Sequence, residues 1–410
     1  MDIEKLFLVT QEPTLRIRLE SEAKKLSGLD LMTFSDLQEI EHAAPDLNPD
    51  VMLVDDACAG FMDKANHQAC RSFAASRGIP LVHLVDEEKK HLSEDSKDVG
   101  ISRDLPLKKI IKESIKSLRF ELEIWGARGT LPVCGRNTLK YGGSTSCISL
   151  RIGINGRFVF DAGTGLRNLS RYLMRRDKGS FNGRIFITHP HWDHLNCIPF
   201  FEPLYVAGNK IHLMGPGHEG HSFRELLEGQ MNGIYFPIKP DRFTAEVTYT
   251  DMVEGSFVYD GVVVRAFRLD HPGYCLGYRI EYSGSSIAYI TDNELYEDAG
   301  GSPPYDALRD FLKGVDVLIH DTSYFDDEYA AKVHWGHSPV SRVVDLALDC
   351  GVKDLFLFHH DPEHNDAAID AKLVEAESRV MHEAGNLNCK NARQGDCWDL
   401  RSGNLKGRLR

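Results

Sequence analysis

A dense run of potential metal ligands between residues 188 and 194 constrains this chain more than any other feature. The segment reads Thr-His-Pro-His-Trp-Asp-His and follows an apolar strand predicted to end at residues 185–187. Imidazole nitrogens and carboxylate oxygens are ligands of hard and borderline divalent metals. Four such side chains within six residues, directly after a buried strand, predict a metal site on a loop at a strand end.

The chain has 410 residues, more than one hydrophobic core usually holds, and its character changes near residue 118. Residues 1–118 alternate short apolar strands with helices, which predicts a doubly wound α/β domain. Residues 119–410 are richer in strands, with helices between the groups of strands. This pattern predicts a second α/β domain with two sheets covered by helices.

Composition narrows the class of protein and of partner. Lys and Arg number 48 against 61 Asp and Glu, so the net charge of −13 disfavours a long nucleic acid. No apolar run approaches the roughly 18 residues of a membrane span, and the N-terminus has no apolar leader. The nine cysteines form no CxxC pair, which is typical of reduced thiols. We therefore expect a cytoplasmic protein without a membrane partner.

The first domain resembles a response-regulator receiver, chiefly in the Pro-Asp-Val-Met-Leu-Val-Asp segment at residues 49–55. The resemblance places Asp55 at the phosphoacceptor position. The acidic metal-binding pair is replaced by residues 9–12, the expected hydroxyl residue by Val85 and the expected lysine by Leu105. We therefore expect a degenerate receiver-like domain without a working phosphoryl site, used for packing, regulation or formation of a homodimer.

Further polar motifs follow predicted strands in the second domain. They are Asp161 in Phe-Asp-Ala-Gly-Thr-Gly, His271 in Asp-His-Pro-Gly, Asp292 in Ile-Thr-Asp, Asp321 in His-Asp-Thr-Ser-Tyr, His337 in Trp-Gly-His-Ser, and His359 and His360 in Phe-His-His-Asp-Pro. With the first motif, they resemble the metallo-β-lactamase-fold hydrolases, whose signature is HxHxDH, over residues 120–400. The resemblance implies a four-layer αββα fold. It is nearer to the phosphodiesterase branch, which includes ribonuclease Z and cyclic-nucleotide phosphodiesterases, than to the lactamases.

The resemblance implies a binuclear metal site. The expected ligands are His189, His191 and His271 for one ion and Asp193, His194 and His359 for the other, with Asp292 bridging the two. Zn²⁺ and Mn²⁺ are favoured, and a set of nitrogen and oxygen ligands leaves Fe open. We favour His359 over His360 because it directly ends the strand and neighbouring side chains on a strand point to opposite faces. His360, His364 and Asp366 are then candidates for a layer behind the ligands or at the entrance.

Two catalytic roles and two supporting roles follow from the same resemblance. Asp193 is expected to orient the attacking water, and His337 to protonate the departing oxygen. Asp161 and Asp321 are expected to hold ligating histidines in a fixed ring orientation.

The resemblance to the phosphodiesterase branch predicts hydrolysis of a small phosphodiester. A cyclic nucleotide is the favoured substrate, because nothing here resembles the arm with which ribonuclease Z grips transfer RNA. Candidate residues for stacking on a base are Phe200, Phe201, Tyr205, Tyr235 and Phe236.

Three alternatives stay open. A hydrolase of the same fold could act on a lactone, a thioester or RNA, and a signalling protein could sense a nucleotide without turnover. A flavodiiron-type oxidoreductase is disfavoured, because it carries a carboxylate where His191 stands.

Overall fold

The first sheet of the molecule is built from strands within residues 5–102. The computed structural model describes residues 5–26, 28–43, 49, 51–55, 69–70, 72–74, 79, 81–85, 99–117, 119–153, 156–296 and 303–409. The strands are β1 (Lys5–Val9), β2 (Asp30–Phe34), β3 (Val51–Asp55), β4 (Leu81–Val85) and β5 (Val99–Ser102), in the spatial order β2-β1-β3-β4-β5. All four pairings are parallel. This is one of the doubly wound strand orders, with its crevice at the carboxyl ends of β1 and β3.

Helices pack against this sheet and complete two apolar cores. They are α1 (Pro13–Ala23), α2 (Leu37–Ala43) and α3 (Leu107–Ser117). Leu15 and Leu19 of α1 contribute to one core, and Leu37 and Ile40 of α2 to the other. The sequence also predicts a helix around residues 67–76, of which the structure describes 69–70 and 72–74, and these are helical. The degenerate-receiver identity and the domain boundary at residue 118 stay predictions.

The crevice of the first sheet contains Asp55, which is fully buried. The hydroxyl of Thr10 donates to Asp55 Oδ2 over 2.7 Å. Arg103 Nη2 lies 3.6 Å from the same oxygen, and Arg103 also pairs with Glu12. Leu105 stands where the receiver lysine is expected, but Arg103, directly after β5, brings a cation near Asp55.

Residues 120–408 form two further sheets. The eight-stranded sheet has the order β11-β10-β9-β8-β7-β6-β19-β20 and the seven-stranded sheet the order β12-β13-β14-β15-β16-β17-β18. The strands are β6 (Phe120–Gly126), β7 (Cys147–Ile152), β8 (Gly156–Phe160), β9 (Asn182–Phe186), β10 (Lys210–Gly215), β11 (Glu246–Asp251), β12 (Gly255–Tyr259), β13 (Val262–Leu269), β14 (Cys275–Tyr282), β15 (Ser285–Ile290), β16 (Val317–Asp321), β17 (Asp354–Phe358), β18 (Asn388–Asn391), β19 (Asp396–Asp399) and β20 (Asn404–Arg408).

Three apolar cores show that the two sheets are stacked and covered by helices on both outer faces. The helices are α4 (Gly165–Asp177), α5 (Trp192–Leu195), α6 (Phe223–Gly229), α7 (Tyr305–Leu312), α8 (Asp326–Tyr329), α9 (Val340–Asp349) and α10 (Asp366–His382). One core joins the inner faces of β6–β9 to those of β13–β17. A second packs α4 and α6 on the larger sheet, and a third packs α7, α9 and α10 on the smaller one. The predicted αββα layering is thus confirmed.

Strand direction gathers the polar motifs at one edge of each sheet. β8, β9 and β10 are parallel, so their carboxyl ends share an edge. In the other sheet β13 and β15 both run antiparallel to β14, and β15, β16 and β17 are parallel. The motifs containing Asp161, His189, His271, Asp292 and His359 therefore all follow the carboxyl ends of strands.

The strands that sequence analysis missed lie mainly at sheet edges. β20 is exposed along its whole length, and β12 is exposed or half-buried throughout. An edge strand with little buried surface lacks the apolar run that marks a central strand. The Asn155-Gly156 dipeptide predicts a hairpin over residues 151–160. The structure has the antiparallel pair β7–β8 there, and Asn155 lies outside the described residues. Among the helices that the structure describes, none is both long and apolar enough to cross a bilayer.

Candidate metal centre

Asp292 lies between two groups of histidines and presents one carboxylate oxygen to each. Its Oδ1 lies 3.2 Å from His194 Nε2 and 3.1 Å from His359 Nε2. Its Oδ2 lies 3.6 Å from His189 Nε2 and 3.8 Å from His271 Nε2. This is the position that a carboxylate bridging two neighbouring ions would take.

His191 and Asp193 complete the two groups. His191 Nδ1 lies 3.2 Å from His271 Nε2. Asp193 Oδ2 lies 3.1 Å from His194 Nε2 and 3.4 Å from His359 Nε2. Within each group the potential ligand atoms lie within 4.8 Å of one another; the groups are His189, His191, His271 and Asp292, and Asp193, His194, Asp292 and His359.

The nitrogens at this centre fit a cation. Nε2 of His189, of His194 and of His359 is buried and makes no hydrogen bond, although carboxylate oxygens lie close by. A buried polar atom without a partner costs about 1–3 kcal/mol, so three such atoms around one carboxylate indicate that the centre is built to hold a further partner. Imidazole and carboxylate donors without sulfur fit Zn²⁺, Mn²⁺ or Fe.

The electrostatics of the centre also fit a cation. Burial holds the pKa of His189 well below its usual range and lowers the pKa of His271 to about 4, so both rings are neutral at pH 7. Burial opposes ionisation of Asp292, but the surrounding histidines, above all His194, keep its pKa well below its usual range. Burial likewise lowers the pKa of His194, but the charges of Asp193 and Asp292 outweigh it and raise that pKa. A bound cation would take the place of the His194 proton.

Three site residues share an unusual backbone conformation at the end of their strands. Asp161, Asp292 and His359 have φ values of 59°, 52° and 55°. A left-handed conformation costs a non-glycine residue roughly 1–2 kcal/mol. Such strain persists where the surrounding structure holds it, as functional sites do.

Hydrogen bonds behind the ligands fix their imidazole rings. His194 Nδ1 donates to Asp161 Oδ2 over 2.8 Å, and the hydroxyl of Tyr289 donates to the same oxygen over 2.9 Å. His271 Nδ1 donates to the carbonyl of Gly336 over 3.0 Å. The role predicted for Asp161 therefore fits the structure, because a bond at Nδ1 leaves Nε2 directed at the centre.

Two glycines allow backbone to approach the ligand rings closely. A Cβ on Gly129 would lie 2.3 Å from His359 Nδ1, and a Cβ on Gly336 would lie 2.2 Å from His271 Nδ1. Gly336 also has a φ of +82°, which disfavours other residues. Both positions therefore require glycine.

Comparison with known proteins agrees with this geometry. The family described as "Beta-lactamase superfamily domain" matches residues 156–360, half of the chain, including both ligand groups. The chain belongs to the β-lactamase superfamily. Its relatives include the ribonuclease Z of Methanosarcina acetivorans, 26% identical over 63% of this chain and 92% of the relative, and that of Staphylococcus carnosus, 22% identical over 68% and 100%.

Solved structures show the same fold. The metallo-β-lactamase fold protein YhfI from Bacillus subtilis has a TM-score of 0.52 at 14% identity and covers 68% of this chain and 99% of its own. A diphosphatase of the PhnP family has a TM-score of 0.50 at 17% identity and covers 71% of this chain and 100% of its own. The chain thus has the metallo-β-lactamase fold. Its His and Asp clusters lie at the carboxyl ends of strands in the two sheets.

The two adjacent histidines at the end of β17 occupy different positions relative to the metal centre. His359 enters the ligand group, whereas His360 is buried outside it. His364 bonds to Glu328 over 3.0 Å, and Asp366 accepts the backbone N–H of Lys140 over 2.9 Å. His360, His364 and Asp366 therefore lie outside both groups of potential ligands.

Asp321 lies between the predicted acid and a predicted ligand. Its Oδ2 accepts a hydrogen bond from His337 Nδ1 over 2.7 Å, and its Oδ1 accepts from the Ser323 hydroxyl, which lies 3.2 Å from His359 Nδ1, so Asp321 reaches the ligating histidine through Ser323 and not directly. The His337 ring stacks on His359 with centroids 4.8 Å apart. Burial lowers the pKa of His337, but the charge and hydrogen bond of Asp321 outweigh it and raise the pKa to about 9. Asp321 thus holds the predicted acid and keeps it protonated at pH 7.

Sequence analysis missed residues that act through backbone or surface position. The Thr130 N–H donates to Asp193 Oδ2 over 2.8 Å, a contact that no side-chain pattern could reveal. Trp192, beside the ligands, is 82% exposed. Of the five predicted stacking residues, Phe201 is fully buried and cannot reach a base, and Tyr205 is half-buried against the core. Phe200 and Tyr235 are exposed, and Phe236 packs on Phe200 with centroids 5.1 Å apart.

Proposed function

We propose that this protein is a binuclear metal-dependent phosphodiesterase that hydrolyses a small phosphodiester, most simply a cyclic nucleotide. The observation that carries the proposal is Asp292, whose two oxygens face two separate groups of ligands with His337 stacked beside one of them. Two adjacent ion sites next to a proton donor suit in-line displacement at phosphorus.

The chain's own residues divide the work of the reaction. Bound divalent ions would promote ionisation of water and offset charge on the phosphoryl oxygens. Asp193, whose Oδ2 is held by the Thr130 N–H, orients the attacking water. His337 is oriented through Nδ1 by Asp321, so its Nε2 donates a proton to the departing oxygen. A poor alkoxide leaving group requires such a donor near neutral pH.

The surface and charge support a small nucleotide as substrate. Trp192 and Phe200 expose aromatic rings within and shortly after the ligand motif, and Tyr235 exposes its ring beside Phe236, which packs on Phe200; these rings could stack on a base. The net charge of −13 disfavours a long polyanion. RNA is the second candidate, because relatives of this chain are named ribonuclease Z. A cytoplasmic homodimer is the expected state of the enzyme.

The decisive experiment measures product formation by protein loaded with Mn²⁺ or Zn²⁺. The substrates are 3′,5′- and 2′,3′-cyclic nucleotides, bis(p-nitrophenyl) phosphate and a transfer RNA precursor, with Asp292→Ala as the control. Metal-dependent turnover of a cyclic nucleotide that is lost in the control supports the proposal. Turnover of the RNA alone would replace the substrate class. No turnover of any diester by protein that holds two ions would overturn the proposal and direct attention to lactones, thioesters or nucleotide sensing.

A further inference from the structure

Glu294 is a buried carboxylate two residues after Asp292 that the reaction outlined above does not use. Glu294 is only 2% exposed, yet both of its carboxylate oxygens accept hydrogen bonds. Oε1 accepts from the hydroxyl of Tyr329 over 2.8 Å and from the backbone N–H of His334 over 2.7 Å. Oε2 accepts from the backbone N–H of Gly336 over 2.7 Å.

These bonds hold the loop that carries His337. Gly336 directly precedes His337, and Ser338 directly follows it. The Ser338 hydroxyl donates to the carbonyl of Asn293 over 2.6 Å and accepts from the backbone N–H of Leu295 over 3.1 Å. The segment 293–295 therefore fixes the chain on both sides of His337, and Glu294 supplies the contacts on the N-terminal side.

The same carboxylate also reaches a ligand group through one peptide unit. The carbonyl of Gly336 accepts the bond from His271 Nδ1 over 3.0 Å. By binding the Gly336 N–H, Glu294 fixes the loop residue whose carbonyl orients the His271 ring. The backbone N–H of Glu294 donates to the carbonyl of Asp270, the residue before His271, over 2.8 Å. One side chain and its own backbone thus contact both loops.

We infer that Glu294 is a positioning residue that sets His271 toward one ion site and His337 toward the leaving group. The inference about His337 rests on the proposed function, whereas the inference about His271 concerns metal binding alone. A glutamine at this position cannot replace the carboxylate, since its amide NH₂ would face a backbone N–H instead of accepting from it.

The test compares Glu294→Gln with the matched control Asp316→Asn. Asp316 accepts a backbone N–H and a hydroxyl from Ser286 over 2.8 and 2.9 Å, but it precedes β16 and so lies at the opposite end of that strand from the centre. Asp316 also pairs with Lys353 Nζ over 2.7 Å, so each substitution changes a carboxylate with several partners, and only Glu294 lies beside the centre. Calorimetric titration with Mn²⁺ measures both ion sites without any turnover, and steady-state kinetics with a cyclic nucleotide and bis(p-nitrophenyl) phosphate gives kcat and KM.

We expect Glu294→Gln to weaken one of the two ion sites by about 10–100-fold and to lower kcat by a similar factor while KM changes little. Asp316→Asn should leave both quantities within about threefold of the original protein. Ion binding in Glu294→Gln that equals the original, or equal losses in the two variants, would overturn the inference. If the original protein binds two ions but hydrolyses no diester, the proposed function fails, and the titration still decides the role of Glu294.

Discussion

Asp55 and Asp292 are two buried aspartates at the carboxyl ends of parallel strands, and their surroundings differ completely. Asp55 accepts the hydroxyl of Thr10 over 2.7 Å and faces the guanidinium of Arg103. Asp292 faces the Nε2 atoms of His189, His194, His271 and His359, of which those of His189, His194 and His359 are buried without a hydrogen bond.

The comparison shows that a buried strand followed by aspartate does not by itself define a site. A fixed cation such as Arg103 satisfies the Asp55 carboxylate and leaves no need for an ion. Neutral imidazoles supply lone pairs but no positive charge, so the Asp292 carboxylate is balanced only when a cation or protonated histidines are present. The neighbours of a carboxylate, not its strand, decide between an internal ion pair and a metal site.

The largest effect is expected from removing the bridging carboxylate. Asp292→Ala should lower kcat by about 1,000-fold or more, because both ion sites lose a shared ligand. Asp55→Asn, in the first sheet, should leave kcat unchanged. Turnover and metal content by mass spectrometry measure both variants. Activity that falls equally in the two would mean that the first sheet takes part in the reaction.

A smaller effect, dependent on the substrate, is expected from His337→Ala. Loss of the proton donor should lower kcat by about 100-fold or more on a cyclic nucleotide, whose leaving group is a poor alkoxide. The loss should be much smaller on bis(p-nitrophenyl) phosphate, because p-nitrophenolate departs without protonation. Equal losses on the two substrates would assign His337 a role other than general acid.

Substitutions of the two aspartates behind the centre, Asp161 and Asp321, should have different effects. Asp161 holds His194, so Asp161→Asn should weaken metal binding by about 10–100-fold. Asp321 holds His337, so Asp321→Asn should lower kcat on the cyclic nucleotide while two ions remain bound. Metal titration and kinetics on the same preparations check both. Loss of an ion from Asp321→Asn would place Asp321 among the groups that support the ligands.

The smallest effect, no change, is expected when phosphodonors are offered to the first sheet. Asp55 is fully buried and engaged by Thr10 and Arg103, so acetyl phosphate should leave it unmodified. Intact-protein mass spectrometry after incubation with acetyl phosphate and Mg²⁺ tests this. A stable mass increase that Asp55→Asn abolishes would show that the receiver-like site works, and that Arg103 replaces the expected lysine.

The candidate ligands and the positions of the buried strands were predictable, because each depends on a short stretch of sequence. A ligand-rich loop after an apolar strand, and an aspartate after β15, need no tertiary information to suggest a metal centre. Arg103 and Asp321 show the limit. Arg103 does not stand at the position of the receiver lysine, and Asp321 lies 16 residues from the histidine it holds. Neither contact follows from a motif.

The sequence by itself determined which metal-binding donors are present, their order along the chain, and that they follow the ends of apolar strands. Only the tertiary structure decided that Asp292 presents one oxygen to each ligand group and that Glu294 fixes Gly336 from 42 residues away. The physical reason is that side-chain chemistry is local. Which oxygen faces which ring depends on backbone conformation at strand ends and on the packing of the two sheets.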